Sequence, residues 1–94
     1  MPDLNTKTPI LGTSQKVNIT SSSLQSTSIN ATYIDVTCSQ PCWIAIGSNP
    51  TAISPTSYFM GATSFPYQFE LTPGDKLAVI RDTIDGVLII CPVS

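Results

Sequence analysis

Three observations predict that this chain is all-β, an antiparallel β-sandwich or small jelly roll of six to eight short strands. Short apolar runs recur between turn-forming residues, as expected for the strands of such folds. The polar content is dominated by 12 Ser and 12 Thr residues, which suit strands and loops and are poor in helix interiors. Charged residues make up only 11% of the chain, so its surface is unusually neutral beside the roughly 25% that is typical of soluble domains.

The length of 94 residues fits one domain preceded by an arm. Residues 1–14 contain prolines and a glycine but no lasting periodicity, so we predict an extended N-terminal arm. Such an arm either frays or is held against a neighbouring subunit. In the second case its candidate contact residues are Pro9, Ile10 and Leu11. Residues 15–94 then form the single β domain.

The first half of the domain contains three predicted strands. Residues 15–20 alternate, with two aliphatic residues on one face, as a half-buried strand does. The Ser-rich residues 21–28 suit a loop or a weak edge strand. Residues 31–38 alternate again, and a Ser-Gln-Pro turn leads on to residues 43–46. We expect these last two strands to form a central hairpin.

The second half is expected to continue with a surface connection and further strands. Residues 51–56 contain proline and show no period, and residues 58–60 could form a short strand within that connection. Residues 67–71 alternate and are predicted to be a half-buried strand. The last two strands, residues 77–80 and 87–90, are apolar at every position. Both of their faces should therefore be covered, and we expect them to pair at the centre of a sheet.

Specific residues mark two turns. Pro73 and Gly74 stand at the central positions of a turn that Asp75 completes, which suits type II geometry because glycine tolerates the positive φ of the second central residue. Asp85 and Gly86 form the second turn signal, and an Asp-Gly pair is typical of tight hairpin turns. We therefore expect a hairpin between the last two strands.

The three cysteines, Cys38, Cys42 and Cys91, are an odd number, so at most one intramolecular disulfide can form. Cys38 and Cys42 flank a three-residue turn that could bring their side chains together, given a suitable Cα separation. The alternative is three reduced thiols that pack as small hydrophobic side chains. We expect synthesis in the cytoplasm because no signal peptide is visible, and this favours the reduced state.

The residues give little basis for catalysis, and we predict neither an enzyme nor a bound cofactor. Histidine is absent, which removes the commonest general base and metal ligand, and no Gly-rich phosphate loop occurs. The cysteines lack the C-x2-C spacing of zinc sites, and the turn aspartates do not form a calcium loop, so no metal is expected. A net charge of −2 with four cations argues against nucleic-acid binding. The uncharged residues 36–69 contain too many polar and turn-forming residues to span a membrane.

Aromatic residues accumulate in the connection between the two halves of the domain. Tyr58, Phe59 and Phe65 lie between prolines in a segment without charged residues. There they would expose apolar area, and exposed apolar patches usually mark interaction sites. We therefore take these three residues as candidate contacts with another subunit or a partner protein.

Three segments together resemble a pattern found in small structural proteins of tailed bacteriophages. They are residues 43–52 (WIAIGSNPTA), residues 69–80 (FELTPGDKLAVI) and residues 85–88 (DGVL). In those phage proteins a W-x-x-x-G-x-N-P-x-A strand and turn precedes a P-G-D-K-x-A-V-I turn and strand, and a C-terminal strand follows. The resemblance covers the second half of the chain.

The resemblance implies a capsid decoration, or cement, protein of the virion. Such a protein is a β-sandwich that assembles as a homotrimer on the outer surface of the phage head, contacts the major capsid protein and stabilises the shell. One alternative is a tail or head-fibre module that binds a host-surface glycan through the loop aromatic residues and Asn49. Another is a small enzyme or redox protein, which would need the cysteines to be active.

Overall fold

The computed structural model describes residues 13–93, in which eight β-strands and no helix are found. The strands are β1 (Gln15–Ile19), β2 (Leu24–Gln25), β3 (Tyr33–Cys38), β4 (Cys42–Gly47), β5 (Tyr58–Met60), β6 (Thr63–Glu70), β7 (Lys76–Arg81) and β8 (Gly86–Val93). They form two antiparallel four-stranded sheets, sheet A with the order β1-β8-β3-β6 and sheet B with the order β2-β7-β4-β5. The prediction of an all-β fold is confirmed. No helix of residues 13–93 has the length and apolar character needed to cross a lipid bilayer.

Consecutive strands mostly lie in different sheets. Among the eight described strands, only β4 and β5 are both consecutive and paired. The predicted hairpin of β3 and β4 is therefore wrong, because residues 39–41 carry the chain from sheet A to sheet B. The predicted pairing of β7 with β8 is also wrong, because β7 lies between β2 and β4 whereas β8 lies between β1 and β3. Turn-forming residues indicate a reversal of the chain, but they do not distinguish a hairpin from a corner between two sheets.

Close packing explains the glycine at position 86. The tight hairpin turn predicted there is not formed. Among the described glycines only Gly74 has a positive φ. A Cβ atom on Gly86 would lie 2.7 Å from Ser39 Oγ and 2.9 Å from Gln40 Cγ. The start of β8 therefore packs directly against the corner that joins β3 to β4. Asp85, beside it, forms an exposed ion pair with Arg81, whose Nη1 lies 2.8 Å from Asp85 Oδ1.

The turn between β6 and β7 has the geometry expected of type II. Gly74 has a φ of 98° and follows Pro73, while the Asp75 N–H donates to the Thr72 carbonyl at 2.9 Å. The Asp75 carboxylate also accepts a hydrogen bond from the Thr72 N–H at 3.1 Å. The Gly74 N–H donates to the Ile29 carbonyl at 2.7 Å. This last bond fixes the turn against the connection between β2 and β3.

The inward faces of the two sheets share one hydrophobic core, so the arrangement is sandwich-like. Strand β3 shows the pattern most clearly, because Ile34, Val36 and Cys38 are buried while the residues between them are only partly buried. The other buried core residues are Val17, Ile19, Ile29, Ala31, Cys42, Ile44, Met60, Leu71, Leu77, Val79, Leu88 and Ile90. Every strand except the exposed edge strands β2 and β6 contributes at least one buried residue to this core.

The outer face of β7 is covered by the chain itself at Ala78. Ala78 is 0% exposed, and its register partner Gln25 shares that outer face. The Gln25 Nε2 donates to Asn49 Oδ1 at 2.9 Å and to the Pro50 carbonyl at 2.7 Å. The connection between β4 and β5 is thereby held over sheet B. On β8, in contrast, the outward-facing Ile89 is 37% exposed.

Candidate functional site

The aromatic residues of β5 and β6 form a cluster where the edges of the two sheets meet. Strand β5 is an edge of sheet B, and β6 is an edge of sheet A. The ring centroids of Tyr58 and Phe69 are 5.6 Å apart with an interplanar angle of 86°, a favourable edge-to-face geometry. The Tyr67 ring lies 6.5 Å from Phe69 at 51°. These contacts join the edges of the two sheets.

Phe65 lies on the same strand as Tyr67 and Phe69, at a bulge in β6. The register advances by two residues on β3, from Val36 to Cys38, but by four residues on β6, from Tyr67 back to Thr63. The Thr63 Oγ1 accepts a hydrogen bond from the Phe65 N–H at 3.0 Å and donates to the Phe65 carbonyl at 2.7 Å. These bonds hold the bulge while the Phe65 side chain remains exposed.

We call Tyr58, Phe65, Tyr67 and Phe69 the aromatic edge. Phe65 is 81% exposed, Tyr58 56% and Tyr67 36%, while Phe69 is only partly buried. All four lie within residues 36–69, which contain no charged residue. The aromatic edge therefore exposes rings on two strands, all from a part of the sequence that contains no charged residue.

The sequence pattern did not identify two members of this surface. Residues 67–71 were predicted to be a half-buried strand, but Tyr67 and Phe69 lie on a strand whose residues are mostly exposed. Alternation shows which side chains share a face, but an edge strand can extend that face past the opposing sheet. The available signal was Pro66, because proline within a strand is confined to edges and bulges.

Phe59, the third predicted contact residue of the connection, lies apart from the aromatic edge. Its register partner on β4 is Trp43, and their ring centroids are 4.9 Å apart on the outer face of sheet B. The Trp43 indole N–H donates to Asp82 Oδ1 at 3.1 Å, which fixes the ring. Asn49 is bonded to Gln25 on β2, at the opposite edge of sheet B from β5. The aromatic residues and Asn49 proposed for glycan binding therefore do not form one site.

The thiols of Cys38 and Cys42 are neighbours in the core. Both residues are buried free cysteines, whereas Cys91 is only partly buried. The Cys38 Sγ donates to the Gly61 carbonyl at 3.3 Å, and the Cys38 and Cys42 side chains belong to the same core cluster. Burial raises the pKa of Cys38, and burial together with the Cys38 thiol raises the pKa of Cys42 to about 12. Both groups are therefore protonated thiols at neutral pH.

An open cleft of about 600 Å³ has Cys38 among its lining residues. Its lining includes Cys38, Thr63, Ser64 and the side of β8 that carries Val87 and Ile89. The cleft is thus bordered by hydroxyl and aliphatic side chains without a charged group among its lining residues. It connects the region of Cys38 with the solvent next to the β6 bulge.

The remaining predicted contact residues are assigned neither to the aromatic edge nor to the cleft that Cys38 lines. Pro9, Ile10 and Leu11 lie outside the described residues. In the part of the chain that the structure describes, no three Cys, Asp or Glu side chains are grouped so that they could hold a metal ion.

No relative of this chain was found by comparison with known proteins. A scan against protein-family models, a search of curated proteins and a search of solved structures each give no match. What the chain does must therefore follow from its own geometry and chemistry.

Proposed function

We propose that this chain is a virion structural protein, a capsid decoration (cement) protein that binds the outer surface of a phage head as a homotrimer. The observation that carries the proposal is the aromatic edge, which exposes uncharged rings on two strands. Protein interfaces are enriched in aromatic residues and depleted of charged residues at their centres. The surface is therefore suited to contact with the major capsid protein and with neighbouring copies of this chain.

The strand order supports a viral structural role as well. We propose that the two sheets form a jelly roll, in which the orders β1-β8-β3-β6 and β2-β7-β4-β5 arise from two Greek keys. Jelly rolls are frequent in viral capsid domains. The resemblance of residues 43–52 and 69–80 to tailed-phage proteins points in the same direction.

The mechanism of stabilisation is mass action. A decoration protein that binds the assembled shell but not its separated subunits shifts the equilibrium toward the shell. At a free concentration 100 times the dissociation constant, each occupied site contributes about 2.7 kcal/mol. Burial of the aromatic edge across several subunits supplies the binding free energy, and no residue has to react.

The test compares two exposed apolar residues. Phe65→Ser changes the most exposed ring of the aromatic edge, and Ile84→Ser changes a 57% exposed side chain in the connection between β7 and β8. Both variants should keep the melting temperature of the wild type, because surface substitutions cost little stability. We expect Phe65→Ser to weaken binding to undecorated phage heads by roughly tenfold or more, while Ile84→Ser binds as the wild type does.

Three further measurements complete the test. Sedimentation velocity should give a trimer, proteomics should detect the chain in purified virions, and heads without it should burst more readily on heating or chelation. A monomer that never occurs in purified virions would refute the proposal. Equal binding by the Phe65→Ser and Ile84→Ser variants would exclude the aromatic edge as the binding surface.

A second candidate function is a tail or head-fibre module that binds a host-surface glycan. The observation in its favour is the Phe59 and Trp43 pair, in which a 46% exposed ring lies next to an indole anchored by Asp82. Such rings offer an apolar face for stacking, and the carboxylate can accept hydrogen bonds from sugar hydroxyls. Glycan-dependent adsorption to cells that is lost in Phe59→Ala but kept in Phe65→Ser would support this function over the first.

A further inference from the structure

The two buried cysteines occupy the ends of the corner that joins the sheets. Cys38 is the last residue of β3 in sheet A, and Cys42 is the first residue of β4 in sheet B. Both side chains lie in the core that the two sheets share, one on each side of residues 39–41. A covalent bond between them would link the two sheets at this corner.

The corner itself is held in place by the segment that leads into β8. The Ser39 N–H donates to the Val87 carbonyl at 2.9 Å, and the Val87 N–H donates to Ser39 Oγ at 2.9 Å. On the other side of the corner, the Asp82 N–H donates to the Pro41 carbonyl at 3.2 Å. These three bonds fix the backbone on both sides of the corner, so Cys38 and Cys42 are held at its two ends.

We propose that Cys38 and Cys42 form a reversible intramolecular disulfide when the protein encounters a peroxide. Cys38, one of the residues that line the open cleft, attacks one peroxide oxygen through its sulfur, the O–O bond breaks, and one water leaves as Cys38 becomes a sulfenic acid. The Cys42 sulfur then attacks the Cys38 sulfur, and the sulfenic hydroxyl leaves as a second water. In total, two thiols and one hydrogen peroxide give one disulfide and two waters. An added dithiol reverses the reaction by thiol–disulfide exchange.

The environment of the two thiols predicts how fast this happens. The thiolate is the reactive form, and burial raises the pKa of both groups, that of Cys42 to about 12. Oxidation should therefore be slow at neutral pH and should accelerate as the pH rises. Cys91 is only partly buried and lies on the outer face of sheet A opposite Asp35. Its oxidation can therefore be compared with that of the two buried thiols.

Formation of the disulfide has two structural consequences. The Cys38 sulfur loses the hydrogen that the Gly61 carbonyl accepts, so the link between β5 and β6 loses one anchor near Phe65. The bond also constrains the unfolded chain, and by the loop-closure estimate for so short a loop the melting temperature should rise by roughly 5–15 °C.

The experiment counts thiols in three proteins before and after mild treatment with hydrogen peroxide, in each case after denaturation. Cys91→Ser, which lacks the more exposed thiol, should fall from two thiols to none without a change in molecular size, and the wild type should lose the same two thiols. The variant Cys42→Ser should form no intramolecular disulfide. Addition of a dithiol should restore the thiols of the first two proteins and return the melting temperature to its starting value.

Peptide mapping of the oxidised wild type decides the assignment even if Cys42→Ser does not fold. A cross-link between Cys38 and Cys42 supports the proposal. A cross-link that involves Cys91, a covalent dimer, oxidation of Cys38 only to sulfinic acid, or three intact thiols after treatment at high pH would each overturn it.

Discussion

Strands β7 and β8 have nearly the same sequence character but different surroundings. Each contains four consecutive apolar residues, at positions 77–80 and 87–90. In β7 the inward Leu77 and the outward Ala78 are both 0% exposed. In β8 the inward Leu88 is 0% exposed, but the outward Ile89 is 37% exposed. Residues 77–79 of β7 are thus buried on both faces, whereas β8 exposes Ile89 on its outer face.

The difference comes from a connection that is distant in sequence. The segment between β4 and β5 is held over the outer face of β7 through Gln25, Asn49 and Pro50. The Ala52 N–H adds a bond to Ser23 Oγ at 2.9 Å. A run of apolar residues thus shows that a strand can be covered on both faces, but it does not show what covers it.

The inward faces of the two strands should prove equivalent. Leu77→Ala and Leu88→Ala each remove a fully buried side chain, and each should lower the free energy of unfolding by roughly 2–5 kcal/mol because a cavity remains in the core. Urea denaturation measures both, with Ile84→Ala at an exposed position as the control. If Leu77→Ala or Leu88→Ala lowered the free energy of unfolding by less than Ile84→Ala does, the two strands would not share one core.

The outward faces should differ. Ala78→Leu adds atoms beneath the covering segment and should cost roughly 1–3 kcal/mol through overpacking. Ile89→Leu changes a partly exposed side chain of the same size and should stay within roughly 0.5 kcal/mol of the wild type. Thermal and urea denaturation of the two variants gives the comparison. An Ala78→Leu variant with the free energy of unfolding of the wild type would contradict close packing over β7.

The smallest expected difference is between two glutamines, Gln25 on the outer face of sheet B and Gln68 on the outer face of sheet A. Gln25→Ala removes the bonds to Asn49 and Pro50 and should cost about 1 kcal/mol while amide hydrogen exchange of Ala52 accelerates. Gln68→Ala removes an exposed bond to Asp35 on sheet A and should change stability by less than roughly 0.5 kcal/mol. Equal costs, or unchanged exchange at Ala52, would show that Gln25 does not hold the covering segment.

Much of the local structure could be predicted from the sequence. The alternation of residues 31–38 identified the inward Ile34 and Val36 correctly, because the two-residue period of a strand determines which side chains share a face. The Pro73 and Gly74 pair marked a turn whose glycine has a φ of 98°, because few other residues tolerate that conformation. Tyr58 and Phe65 were correctly identified as exposed, because they lie in a proline-bounded segment.

The tertiary structure alone decided which strands are neighbours. It separated β7 from β8 and β3 from β4, although turn signals lie between the members of each pair, because a corner between sheets and a hairpin use similar turn residues. It also placed Tyr67 and Phe69 on an exposed edge, since exposure of a strand depends on its place in the sheet. The sequence by itself determined the all-β character of the chain, the inward face of β3 and the turn at Pro73 and Gly74. Which strands are neighbours, and which segments cover them, was determined by packing between residues far apart in the chain, such as Gln25 and Pro50. Local residue preferences do not specify such packing.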